Sequence, residues 1–117
     1  MQTTAVIEQY FNLLLTGDRV RVRHFVGRVL ASGVTPAPFA NDVLWSVGET
    51  LSKHHRRDAI CPLAFNYALR LLRTTVDQLQ SGYEQAPRRG ESVLLFGGRE
   101  EIDDLGGQLA ADFLEAA

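Results

Sequence analysis

The run Glu91-Ser92-Val93-Leu94-Leu95-Phe96-Gly97-Gly98, followed by a helical pattern over residues 102–117, constrains the fold most. An unbroken apolar stretch ending in glycines reads as a parallel strand buried on both faces. The pattern after it reads as the helix of a βα unit. A doubly wound sheet needs several such units and holds its ligand at the carboxyl ends of its strands. These residues offer one strand and one helix. The expectation is a fragment of a longer protein, or a domain whose ligand chemistry has been cut away.

The residues before this stub read as four helices. The first covers about residues 4–15, with Val6, Tyr10, Leu13 and Leu14 at helical spacing and Gly17 placed to end it. Asp18 is a good N-cap for the second. That helix carries Val22, Phe25, Val26, Val29 and Leu30 on one face and stops at Gly33. Thr35-Pro36 marks the third start, because proline suits the first helical position. Ala40, Val43, Leu44, Val47 and Leu51 form its inner face, which ends near His54-His55-Arg56-Arg57.

Asp58 is placed to cap the fourth helix, with Pro62 in its first turn. This helix has two apolar stripes. One is Ile60, Leu63, Tyr67 and Leu71; the other is Phe65, Leu69, Leu72, Val76 and Leu79. A helix apolar on most sides belongs at the centre of its domain. Short connections favour antiparallel neighbours. The fold expected is mainly α: a four-helix bundle over residues 1–82, a polar linker over 83–90, and a single C-terminal βα unit over 91–117.

Composition narrows the function classes. A net charge of −2 argues against broad nucleic-acid binding driven by charge. Cys61 is the only cysteine, which excludes an intrachain disulfide and a cysteine zinc cluster and fits a reducing cytoplasm. No signal-peptide pattern and no membrane-length apolar stretch is visible.

Three segments carry a family resemblance. Leu13-Leu14-Leu15-Thr16-Gly17-Asp18-Arg19, Leu30-Ala31-Ser32-Gly33-Val34-Thr35-Pro36 and Val47-Gly48-Glu49, in that order, resemble the helical cap module of cobalamin-binding proteins. That module is found in methionine synthase, corrinoid methyl carriers and light-sensing B12-dependent repressors. There a linker and a Rossmann-like domain follow the cap. The resemblance implies a corrinoid-carrying or sensing role. It places candidate cobalamin contacts at Gly48, Glu49 and Leu51 in the cap and at Glu101, Asp103 and Gly106 after the strand.

The family's Asp-x-His-x-x-Gly falls on Glu101-Ile102-Asp103-Asp104-Leu105-Gly106. Asp103 stands where the cobalt-ligating histidine belongs, and a carboxylate is a harder ligand than imidazole. Leu51 stands at the family's upper-face tryptophan, and Cys61-Pro62 at its Glu-His pair. Trp45 is offset from that tryptophan by nearly two turns. The resemblance therefore implies a degenerate module, with weak or absent cobalamin binding.

Other readings start from the residues themselves. His24, His54 and His55 are candidate ligands for a haem-type sensor. His54 and His55 also suit a helix C-terminus as surface cations. Cys61 reads as a small core residue. Arg19, Arg21, Arg23, Arg56 and Arg57 read as a solvated basic face, with an anion patch as the alternative. Glu100, Glu101, Asp103 and Asp104 suit the positive end of a helix dipole. No nucleophile–base pair is visible, so no enzyme activity is expected. The strand over 93–96 would expose two edges. The segment is therefore expected to pair with a second copy in a homodimer or to fold back on the bundle, and a protein-interaction module without cofactor is the alternative function.

Overall fold

Local chemistry sets the helix boundaries. In the computed structural model, which describes residues 3–83, 87 and 90–116 (backbone only at 101), α1 spans Thr3–Thr16 and α2 spans Arg19–Ala31. Between them Gly17 takes φ +72°, and its N–H donates to Leu14 O at 3.2 Å. A side chain would be strained in that conformation. Asp18 then caps α2, its carboxylate accepting from Arg21 N at 3.1 Å. Gly33, at φ +102°, turns the chain after α2.

Pro36 opens a long rod in which α3 (Pro36–Pro38), a π-helical turn (Phe39–Leu44) and α4 (Trp45–Arg56) run end to end. Thr35 precedes it in extended backbone, but its side chain makes no capping bond. Proline's fixed φ, rather than the threonine hydroxyl, sets this start. The π turn interrupts what the spacing reads as one α-helix. Phe39, Ala40, Val43 and Leu44 are all buried within it.

The start of α5 (Pro62–Gln80) differs from the expected cap. Asp58 lies in the connection after α4 at φ +56°. Cys61 is the N-cap instead, its Sγ accepting from Ala64 N at 3.5 Å. With Pro62 at the first helical position, the residue before it must take the cap. Cys61 is therefore exposed, not a core residue. α5 is central, touching α1, α2, α4 and α6 (Glu101–Ala116). Leu69, Leu71, Leu72, Val76 and Leu79 are buried, but Leu63 is 79% exposed and Tyr67 46%. Burial on α5 begins at Ala68, so the first two turns of the expected Leu63–Tyr67 stripe carry little of the core.

One polar contact ties α1 to α5 inside the core. The Tyr10 hydroxyl donates to Thr75 Oγ1 at 2.6 Å, and Thr75 Oγ1 donates to Leu71 O at 3.1 Å. Tyr10 is fully buried, with its ring edge-on to Phe39 at 6.1 Å between centroids. Burial pushes its phenol well above the ordinary value of 10.0. Above pH 10 the unfolded chain releases this proton while the folded chain holds it, so stability is full below about pH 10 and is lost as pH rises further. Tyr10→Phe is expected to cost about 1 kcal/mol near neutral pH through the lost hydrogen bond. It should also flatten the fall in stability above pH 10. Urea unfolding at pH 7 and pH 11 measures both; an unchanged alkaline slope would count against this assignment.

The C-terminal segment departs most from expectation. Residues 92–96 form no strand, and no strand occurs among the described residues. Val93 is 65% exposed, Leu94 78%, Leu95 43% and Phe96 89%. A strand exists only by pairing, and these residues find no partner backbone among the described residues. The segment does not fold back onto the helices either. α6 packs on α4 and α5 rather than covering a strand, burying Leu105 and Leu109. The βα unit expected over 91–117 is thus an exposed segment without regular secondary structure and a docked helix. Of the expected linker over 83–90, residues 84–86, 88 and 89 lie outside the described residues.

Candidate functional site

Two glycines bring α4 and α6 together. A Cβ added at Gly48 would lie 2.8 Å from Ile102 Cδ1, 3.5 Å from Leu72 Cδ2 and 3.7 Å from Leu105 Cδ2. A Cβ added at Gly106 would lie 3.1 Å from Trp45 Cζ3. Gly48 and Gly106, drawn from opposite halves of the site implied by the resemblance, therefore meet in one seam. Trp45 is the aromatic residue in that seam. It lies one turn before Gly48, a spacing that places both on one helix face.

The other implied contacts do not join them. Leu51 is fully buried in the core, and Glu49 is exposed. Asp103 is held by its own helix: its Oδ2 accepts from Glu100 N at 3.2 Å. This is one half of a capping box, with the carboxylate reaching back to the cap's N–H. The helix-start reading of the acidic cluster accounts for Asp103 in full. The side chain of Glu101 lies outside the described residues.

A corrin ring needs an open slot with a ligand aimed into it. The α4–α6 seam is filled by Ile102, Leu105 and Trp45 side chains, and Asp103 is turned to its own backbone. Beside the seam, Leu69, Arg70, Arg73 and Leu105 line a cavity of about 120 Å³. The residues present do not fit cobalamin in this arrangement.

Two of the three histidines pack against aromatic rings. The His55 ring stacks on Phe65 at 4.1 Å and 6°, and the His54 ring leans on Phe11 at 5.7 Å. Both sit in the last turn of α4. No group of three or more His, Cys, Asp or Glu that could hold a metal occurs among the described residues.

A polar cluster fastens α6 to the end of α5. Asp112 is buried, and its Oδ1 accepts from Gln108 Nε2 at 2.9 Å and Gln80 Nε2 at 3.4 Å. Its Oδ2 and the Tyr83 hydroxyl are buried without partners among the described residues. Burial first, and then the Asp112 charge, push the Tyr83 phenol up.

Two surface features remain. An open groove of about 750 Å³ lies between α1, α2 and α5, lined by Leu13, Arg21, Arg23, His24, Gly27, Arg28, Ala31 and Gln78. It gathers Arg21 and Arg23 of the basic face with His24 and Arg28, whereas Arg19, Arg56 and Arg57 do not line it. The second feature is the exposed apolar run 93–96, already described. No described helix is long and apolar enough to cross a membrane. The chain matches no protein-family model, no curated protein and no solved structure.

Proposed function

We propose that this chain is a helical interaction module, not an enzyme, that associates with a second copy of itself through residues 91–99. The observation that carries this reading is the run Val93-Leu94-Leu95-Phe96, all exposed on backbone that pairs with nothing among the described residues. Segments that pair as added strands gain affinity from main-chain hydrogen bonds and specificity from side chains. The flanking charges set the direction. An antiparallel pair centred on Leu95 places Glu91 of each copy opposite Arg99 of the other. A parallel, in-register pair would place like charges side by side, which is unfavourable. The antiparallel arrangement is also self-complementary about a two-fold axis, as in most homodimers.

A strand pair this short covers less than the roughly 1,200 Å² of a stable standard interface. The dimer is accordingly weak and dependent on concentration. Light scattering across a concentration series is expected to show mass rising from monomer toward dimer. Glu91→Arg or Arg99→Glu alone should weaken that rise, and the two changes together should restore it. A mass that stays monomeric at every concentration, or a double variant no better than the singles, overturns the proposal.

The cap-type resemblance bears on ancestry and on ligand. It is supported by the Gly17-Asp18 and Pro36 boundaries and by the meeting of Gly48 with Gly106. The filled seam points to a cap-like bundle that no longer seats a corrinoid. Protein mixed with cobalamin or with haem and then desalted is expected to be colourless. Retained corrin absorbance would restore the corrinoid reading, and a Soret band would support a histidine-based haem sensor.

A further inference from the structure

The groove between α1, α2 and α5 has the chemistry of an anion site. Arg21, Arg23 and Arg28 reach it with His24, and no Asp or Glu is among its described lining residues. Guanidinium groups offer planar, forked donors that match phosphate oxygens. Arg21 and Arg28 are seven residues apart on α2, roughly 10 Å along the helix axis. That span suits two or three neighbouring phosphates, not a long polyanion. Leu13 and Ala31 give the groove apolar lining as well.

Gly27 supplies an independent observation. It lies in the interior of α2, where glycine costs roughly 1 kcal/mol relative to alanine. Its neighbours do not require it: a Cβ added there would meet nothing within 4 Å. Gly48 and Gly106 sit in close packing, whereas Gly27 lines the groove. A helix-interior glycine with no packing role is the residue that lets a ligand come near the backbone. Gln78 is held at the groove by the bond from its Nε2 to Arg23 O at 3.3 Å. The volume falls within the range of small-molecule sites, about 300–1,000 Å³.

We propose that this groove binds an organic phosphate of nucleotide size, its phosphates on Arg21, Arg23 and Arg28 and its body over Gly27 against Leu13 and Ala31. This site is separate from the self-pairing segment and does not depend on it.

Calorimetric titration of the full chain with ADP, inorganic pyrophosphate and adenosine at low salt tests the proposal. ADP is expected to bind, pyrophosphate at least about tenfold more weakly for want of the apolar contact, and adenosine not measurably. Gly27→Glu, which sets a carboxylate among the arginines, should weaken ADP at least about tenfold with circular dichroism unchanged. The double variant Arg21→Gln/Arg28→Gln, at exposed positions where folding is not at risk, should do the same. An absence of ADP binding overturns the proposal. So does Gly27→Glu or the double variant binding ADP within twofold of wild type. Adenosine equal to ADP removes the phosphate assignment, and pyrophosphate equal to ADP removes the organic one.

Discussion

Leu72→Ala is expected to lower the unfolding free energy by about 3 kcal/mol, within the usual range for a buried leucine cut to alanine. Leu72 has no exposed surface and stands where α4, α5 and α6 meet, beside Gly48, Ile102 and Leu105. Its removal takes contacts from three helices at once. The seam cannot collapse easily, because Gly48 brings no side chain to refill the space. A domain of this size has about 5–15 kcal/mol in hand, so the change is a large fraction of the total. Urea unfolding followed by circular dichroism measures it. A loss under about 1 kcal/mol would mean that α6 is not firmly seated on Gly48. Leu63→Ala is the matching control: Leu63 is 79% exposed, and its loss should fall within about 0.5 kcal/mol.

Leu94→Lys is expected to abolish self-association while leaving the helices intact. Leu94 is 78% exposed in the monomer, so lysine there disturbs no packing. In the antiparallel pair centred on Leu95, residue 94 of each copy faces Phe96 of the other. The substitution removes apolar burial on both sides of the two-fold axis and sets two charges against aromatic rings. At about 1.5 kcal/mol per leucine, the dimer loses roughly a hundredfold in Kd. Charged side chains on exposed edges are also how natural sheets avoid such pairing. Sedimentation velocity at several loading concentrations should find a single monomeric species with unchanged helical ellipticity. A variant that still dimerises would move the interface away from residues 93–96.

The two outcomes separate what was legible in the chain from what was not. Helix boundaries were readable where one or two residues determine them. Gly17 and Asp18 act through their own φ and a bond three residues away. Pro36 does the same through its ring. The inner faces of α2 and of the rod from Pro36 to Arg56 follow from spacing alone. The run 92–96 reads as a strand from its apolar pattern, but none forms there, because a strand needs a second backbone to pair with and local sequence cannot show whether one is at hand. Asp58 misled because several residues before Pro62 could serve as a cap, and the proline selects its immediate neighbour. Leu63 and Tyr67 misled because an apolar stripe shows what a helix can bury, not how far its neighbours extend.

The candidate site divides along the same line. Asp103 as a helix-start carboxylate was legible from its position before an apolar run. The meeting of Trp45 with Gly106 was not, since it joins residues 61 apart through the docking of α6. The groove at Gly27 lay in between. Arg21 and Arg23 stood out in the sequence as part of a basic face, but only the packing of α1, α2 and α5 showed that they share a concavity with Arg28 and not with Arg19, Arg56 or Arg57. Gly27 itself was the available signal, as a glycine in the middle of a helix with no turn to make.

The π turn at Phe39–Leu44 makes chain length negotiable at one point in the core. Everywhere else along the long rod, dropping a residue would swing the following inner face by about 100° and turn Val47 and Leu51 toward water. Within the wide turn there is one residue to spare. Asn41 and Asp42 are exposed, so losing one of them would let the turn tighten to an ordinary α-helix with the flanking faces still aligned. Homologues one residue shorter here would then keep the same core, and the wide turn would mark an old insertion that was absorbed without refolding.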